Sequence, residues 1–210
     1  MKIRKLEPCT IEACAKEAAE VLGAGGIILF PTDTLYGLGA DALSDEAVAK
    51  IYEIKGRDEH KPIHGIASDL NMIEMYGDLN PIGRVIAQKF FPGPLTLILE
   101  KHPEFDSGIT KGINTIGFRI PDNQFCLETA KKFGRPFTAT SANKSGKIPD
   151  RSLGPILAQL GSAITLIDIV FDAGELPKSS ASTVIDVSSG DAVVLREGAI
   201  PSDEILSALN

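Results

Sequence analysis

Two short segments carry residue types suited to phosphate chemistry. Lys55-Gly56-Arg57 sets two cations one residue apart, and Ser141-Ala142-Asn143 sets two small hydrogen-bonding side chains one residue apart. In both, the residue between is small, which lets backbone and ligand approach closely. Brought together, they supply what nucleotidyl transfer requires: positive charge aimed at a developing phosphoryl anion, and neutral donors that orient it. Both cations are expected to face the site rather than the core. Lys55 also has a purely local reading, because it falls where an amphipathic helix should end and the helix dipole favours a cation there.

Other positions add to this pair. Thr32 and Thr34 flank Asp33 directly after an apolar run, a usual place for ligand contacts in α/β proteins and equally a place where such residues satisfy the backbone of a turn. Arg119 lies inside the apolar run 116–120, where an unpaired cation is costly, so it must meet an internal acid, reach the surface or hold an anion. Ser182 precedes a strand and Arg196 ends one; side by side they would put a hydroxyl and an arginine at one end of a sheet. His60 and His64 have an i,i+4 spacing, but Pro62 between them argues against a helix, and His102 is alone, so no metal site is expected. Gly37-Leu38-Gly39 lacks the third glycine of a dinucleotide loop, and no Gly-x4-Gly-Lys-Ser/Thr is present, so ATP use cannot be argued from a P-loop.

The elements that must position these residues follow from periodicity. Residues 10–22 place Ile11, Cys14, Ala15, Ala18 and Leu22 on one helical face. A buried strand over 27–30 then delivers Pro31 to Thr34. Ser44 caps a helix with Ala47, Val48, Ile51 and Ile54 on its apolar face, and Lys55 and Arg57 at its exit. Asn80-Pro81 starts another helix, stopped by Pro92-Gly93-Pro94. Further helices are expected over 123–133, 152–160 and 202–209, and strands over 63–67, 95–99, 115–120, 137–140, 164–171, 183–187 and 193–196. The closing strands are not separated by helices, so the expected fold is α/β with a twisted, open, mixed sheet and flanking helices, not strict alternation.

Length and composition set outer bounds. At 210 residues the chain is read as a single domain, 1–210. A net charge of -7 argues against general nucleic-acid coating, while leaving room for a local basic pocket built from cations such as Lys55, Arg57, Lys61, Arg119, Lys144, Lys147 and Arg196. Cys9, Cys14 and Cys126 fit reduced thiols, and no segment approaches the ~18 apolar residues of a membrane span, so a cytoplasmic protein without a membrane partner is expected.

Seven ordered motifs resemble those of the YrdC-type threonylcarbamoyl-AMP synthases. They are Phe30-Pro-Thr-Asp-Thr-Leu-Tyr-Gly-Leu-Gly39, Lys55-Gly-Arg57, Phe91-Pro-Gly-Pro-Leu-Thr96, Ile116-Gly-Phe-Arg-Ile-Pro121, Thr140-Ser-Ala-Asn-Lys-Ser-Gly146, Ser182-Thr-Val-Ile-Asp186 and Leu195-Arg-Glu-Gly-Ala199. The resemblance implies an open twisted sheet around a concave site. It implies a reaction joining L-threonine, bicarbonate or CO2, and ATP with Mg2+ into threonylcarbamoyl-AMP and pyrophosphate. It further implies threonine contacts at Thr32, Thr34, Arg119 and Ser182, with Tyr36 as a wall. Lys55, Arg57, Ser141 and Asn143 become the catalytic set, and Lys55, Arg57, Lys61, Thr115, Ser141, Asn143 and Arg196 the ATP contacts. The segment after Arg57 departs from the family pattern: Lys61 replaces an asparagine, and Ile66 falls where a histidine is sought, so His64 takes that place only with a shift of register.

By analogy the product passes to a separate tRNA threonylcarbamoyl transferase, with a weak tRNA contact, since the additional C-terminal domain of longer relatives is not expected here. Two rival readings stand beside this one. One is a sister enzyme that forms carbamoyl-adenylate, against which retention of Lys55, Arg57, Ser141 and Asn143 argues. The other is a double-stranded RNA-binding module, against which the acidic composition argues.

Overall fold

The computed structural model describes residues 1–56 and 62–209. In chain order these form β1 (Lys2–Lys5), α1 (Ile11–Gly23), β2 (Ile28–Pro31), β3 (Tyr36–Gly39), α2 (Asp45–Lys55), β4 (His64–Ile66), α3 (Leu70–Glu74), β5 (Gly77–Asp78) and α4 (Pro81–Phe90). There follow β6 (Leu95–Lys101), β7 (Thr115–Arg119), α5 (Gln124–Phe133), β8 (Phe137–Ser141), α6 (Leu153–Leu160), β9 (Ile169–Asp172), β10 (Thr183–Asp186), β11 (Val193–Arg196) and α7 (Ser202–Ser207).

The strands join one sheet in the order β1-β9-β2-β3-β8-β4-β7-β6-β10-β11, with β5 added alongside β6. Pairing is mixed: β9 runs parallel to β1 and β2, β4 to β7 and β6 to β10, whereas β8 is antiparallel to both β3 and β4. The expected twisted mixed sheet with flanking helices is therefore the one observed. Its core packs Phe30, Phe125, Phe137 and Phe171 ring against ring, with centroids 4.7 to 6.4 Å apart, the range in which offset and edge contacts are favourable.

Local signals act as the sequence requires. Ser44, Asn80 and Asn123 each accept a backbone N–H through the side chain at the start of α2, α4 and α5. Gly56 closes α2 in the left-handed region, at φ 56°, which suits a residue without a Cβ.

Several elements differ from expectation, and the short β5 is one of them. Residues 164–171 do not make one strand: a 3-10 helix covers Gly161–Leu166, and β9 starts only at Ile169, where Ile28 of β2 is available as partner. The Asp168 carboxylate just before it accepts the Ile27 N–H, so that stretch closes a junction instead of a ladder. β3 escapes sequence reading because Gly37 and Gly39 weaken strand propensity. They are needed, since a Cβ on Gly39 would stand 2.8 Å from Ile28 and 2.9 Å from the Phe30 ring. β1 escapes because its Lys-Ile-Arg-Lys sequence lacks apolar alternation; it is an exposed edge, where charged residues are at home.

Curvature positions the site. In the sheet, β7 and β3 are three inter-strand steps apart, about 14 Å on a flat sheet. Yet Arg119 at the end of β7 bonds directly to the turn between β2 and β3. An arginine cannot bridge a flat sheet over that span, so this face is concave.

Candidate active site

On the concave face lies a cavity of about 330 Å³, lined among others by Thr32, Thr34, Tyr36, His64, Arg119, Ser141, Asn143, Lys147, Ser182 and Arg196. Arg119, Lys147 and Arg196 bring three cations to its wall, and among the described lining residues there is no carboxylate. In a chain of net charge -7 this is a local inversion of sign that suits anionic ligands.

The turn after β2 is built by its own side chains. Thr32 Oγ1 accepts the N–H groups of Thr34 (3.0 Å) and Leu35 (3.1 Å), so Thr32 does the backbone work that the turn reading anticipated. Thr34 Oγ1 is left to accept from Arg119 Nη1 at 2.7 Å. Arg119 is only 4% exposed, and the acid it requires is Asp33, which accepts from Nη2; Nε donates to the Gly93 carbonyl at 3.2 Å. Beneath this pair, Cys126 donates to the Pro31 carbonyl, and burial pushes its thiol well above the ordinary range, so it stays protonated and inert.

Tyr36 is the expected wall. Its hydroxyl donates to Gly174 O at 2.8 Å and accepts from Ala173 N, and burial, the larger effect, pushes its pKa up to about 12. Ser182 and Arg196 do meet: Nη2 of Arg196 donates to Ser182 O at 2.8 Å and lies 3.3 Å from its Oγ, which pairs in turn with Thr96 Oγ1. The junction is tight at Gly198, where a Cβ would meet the Ala181 carbonyl at 2.2 Å.

The Lys55 and Ser141–Asn143 segments come together, but not as expected. Lys55 is 2% exposed and is not among the residues that line the cavity. Its Nζ donates to Ser141 O, to Asn143 O at 3.0 Å and to Asn143 Oδ1 at 3.1 Å, so the ammonium is a strut under the loop. The expectation that it faces the site is corrected: three acceptors of one loop repay its desolvation where open water would not be available. Asn143 is likewise engaged. Its Oδ1 accepts from Ser141 Oγ, and its Nδ2 donates to the carbonyls of Lys144 and Lys147. Lys144 Nζ and Ser145 N complete the docking on the exit of α2, at Ile54 O and Lys55 O.

Not every expected residue joins this cavity. Thr115, at the far end of β7, pairs with Glu100 and is not among the lining residues. Arg57 and Lys61 lie outside the described residues. Sequence reasoning missed His64, which lines the cavity, while Ile66, where a histidine was sought, is fully buried. The usable signal was the strand period, because His64 and Ile66 point to the same side of β4. Among the described residues no group of three potential metal ligands stands together, and no helix is long and apolar enough to cross a membrane.

The model of the Sua5, YciO and YrdC proteins, described as "Telomere recombination", matches residues 20–198. A Methanocaldococcus jannaschii protein described provisionally as a threonylcarbamoyl-AMP synthase is 38% identical over 181 residues, covering 86% of this chain and 84% of its own length. The threonylcarbamoyl-AMP synthase of Pyrococcus abyssi is 37% identical over 190 residues, and the chain spans only 55% of that longer protein. The crystal structure of P. abyssi Sua5 complexed with L-threonine has a TM-score of 0.86 at 33% identity, covering 99% of this chain and 59% of that one.

Proposed function

The chain belongs to the Sua5/YciO/YrdC family, and from that membership we propose that it is a threonylcarbamoyl-AMP synthase, joining L-threonine, bicarbonate or CO2, and ATP into threonylcarbamoyl-AMP. The observation that carries this reading is the cationic cavity, with no carboxylate among its described lining residues and Arg119 held beside the Thr34 hydroxyl. Guanidinium and carboxylate match in a two-bond geometry, which makes Arg119 the seat of the threonine carboxylate. Thr32, Thr34 and Ser182 surround the remainder of the amino acid, with His64 opposite.

Carboxylation of the threonine amine forms a carbamate, releasing water when bicarbonate is the donor and a proton when CO2 is. A carbamate oxygen then attacks the α-phosphorus of ATP, the bond to the bridging oxygen breaks, and pyrophosphate leaves. Negative charge grows on the phosphoryl oxygens, and fixed positive groups around them lower the barrier. Arg196, Lys147, Arg57 and Lys61 are the cations for that charge, and Mg2+ arrives with ATP as its counter-ion. Lys55 and Asn143 act by holding the Ser141 loop in shape. The cavity is small for both substrates together, so the nucleoside extends past Pro62, which also lines a neighbouring groove of about 860 Å³ containing Ile113, two residues from Thr115. We read 1–210 as one such unit, acting in the cytoplasm, whose labile product goes to a tRNA-modifying transferase, with a weak tRNA contact.

The test is pyrophosphate release. It should require ATP, L-threonine and bicarbonate together; release without threonine, or turnover of carbamoyl phosphate instead, rejects the assignment. L-serine should be a poorer substrate by roughly fivefold, since one buried methyl group is worth about 1 kcal/mol. Equal kcat/KM for the two amino acids would show that the walls around Thr34 do not sense the methyl.

A further inference from the structure

We propose that Asp33 is a positioning residue that aims the Arg119 guanidinium at the substrate carboxylate without touching substrate itself. The inference rests on the reading above that Arg119 receives an amino-acid carboxylate. Arg119 lines the cavity; Asp33, whose side chain is 13% exposed, does not. The carboxylate therefore lies outside the cavity that the guanidinium helps to line.

Counting donors shows what this arrangement leaves for a ligand. An arginine carries five N–H groups. Nε is directed to the Gly93 carbonyl, one proton of Nη1 to Thr34 Oγ1, and one of Nη2 to Asp33 Oδ1. One proton on each terminal nitrogen remains, which is the number a two-bond carboxylate contact uses. Without Asp33 the Nη2 end would lose its fixed partner, and the plane of the fork would be held only through Gly93 and Thr34.

Asp33 is itself anchored independently of Arg119. Its Oδ2 accepts the backbone N–H of Asp122 at 3.2 Å, just ahead of α5, whose N-terminal end carries partial positive charge. On the other side, Cys126 in the first turn of α5 bonds the Pro31 carbonyl at 3.4 Å, so the same helix start holds both ends of the segment bearing Asp33. An anchored carboxylate outside the cavity is not a counter-ion that substrate must displace. It orients the arginine before substrate arrives, so that binding does not require the guanidinium to be reorganised.

The experiment compares Asp33→Asn with the intact protein by calorimetric titration with L-threonine and with L-threoninol, which lacks the carboxylate, alongside steady-state pyrophosphate release. Asp33→Asn should weaken threonine binding and raise its KM by roughly 10- to 100-fold, while kcat at saturating threonine and the KM for ATP change far less. Threoninol affinity should move by less than about twofold, because its contacts bypass the fork. Asp33→Glu, which restores the charge, should recover part of the loss and serves as the second variant if the asparagine form does not fold. Unchanged threonine affinity, equal weakening of threonine and threoninol, or tighter threonine binding each overturns the proposal; the last would make Asp33 a competitor for Arg119. An intact protein that binds no threonine overturns the functional reading beneath it, and this inference with it.

Discussion

Arg119→Ala is expected to raise the L-threonine requirement by about 30-fold to several thousand-fold, the equivalent of roughly 2 to 5 kcal/mol for truncating one partner of a desolvated charge pair. The KM for ATP should change little, because the guanidinium is held by Asp33, Thr34 and Gly93 at one wall of the cavity and its two remaining donors serve threonine. Truncation also leaves Asp33 without its cation, so some loss of thermal stability should accompany it. Arg119→Lys separates charge from shape: it keeps a cation but loses the planar fork, and should recover only part of the affinity. Threonine titrations of pyrophosphate release check this. A folded Arg119→Ala protein with an unchanged threonine dependence would make Arg119 a purely structural cation.

Lys55→Ala should damage both the fold and the reaction. The substitution removes the donor shared by Ser141 O, Asn143 O and Asn143 Oδ1, all beneath one loop. An acceptor left unsatisfied in a buried place costs about 1 to 3 kcal/mol, and the sum is less than additive because one loop can relax for all three. A net loss of about 3 to 5 kcal/mol is expected, as for other broken buried charge contacts. In a chain of this size that lowers the thermal midpoint by roughly 6 to 20 °C. Adenylate formation at saturating threonine should fall with it, since the Ser141 loop forms one wall of the cavity. Lys55→Ala combined with Asn143→Ala should be markedly less than additive in both stability and rate, because the two side chains share a hydrogen bond. Wild-type melting and turnover in Lys55→Ala would remove the strut from the account.

Helix starts and stops were legible in the sequence because they are local. Ser44, Asn80-Pro81 and Asn123 cap helices through bonds to N–H groups three residues on, and Gly56 ends one by its own φ. The mixed sheet was legible too, from strands that follow one another without helices between them. β3 and the short start of β9 were not. Gly37 and Gly39 make a strand only because the Phe30 ring and Ile28 fill the space a side chain would take, and residues 164–166 are taken up by the end of a 3-10 helix.

The chemistry of the site divides along the same line. By itself the sequence determined the types of group available: Arg119 needed an anion or an acid, Thr34 and Ser182 offered hydroxyls, and the ordered motifs pointed to the family. What only the tertiary structure decided was which group meets which. Asp33 is 86 residues from Arg119 along the chain, and Lys55 is 86 to 88 residues from its acceptors. No local rule couples such positions. Curvature of the sheet brings Arg119 to the turn after β2, and docking of the 141–147 loop on the exit of α2 turns Lys55 from an exposed cation into a buried strut. A cation's role depends on where its counter-charges lie in space, and that is fixed by packing rather than by spacing in the chain.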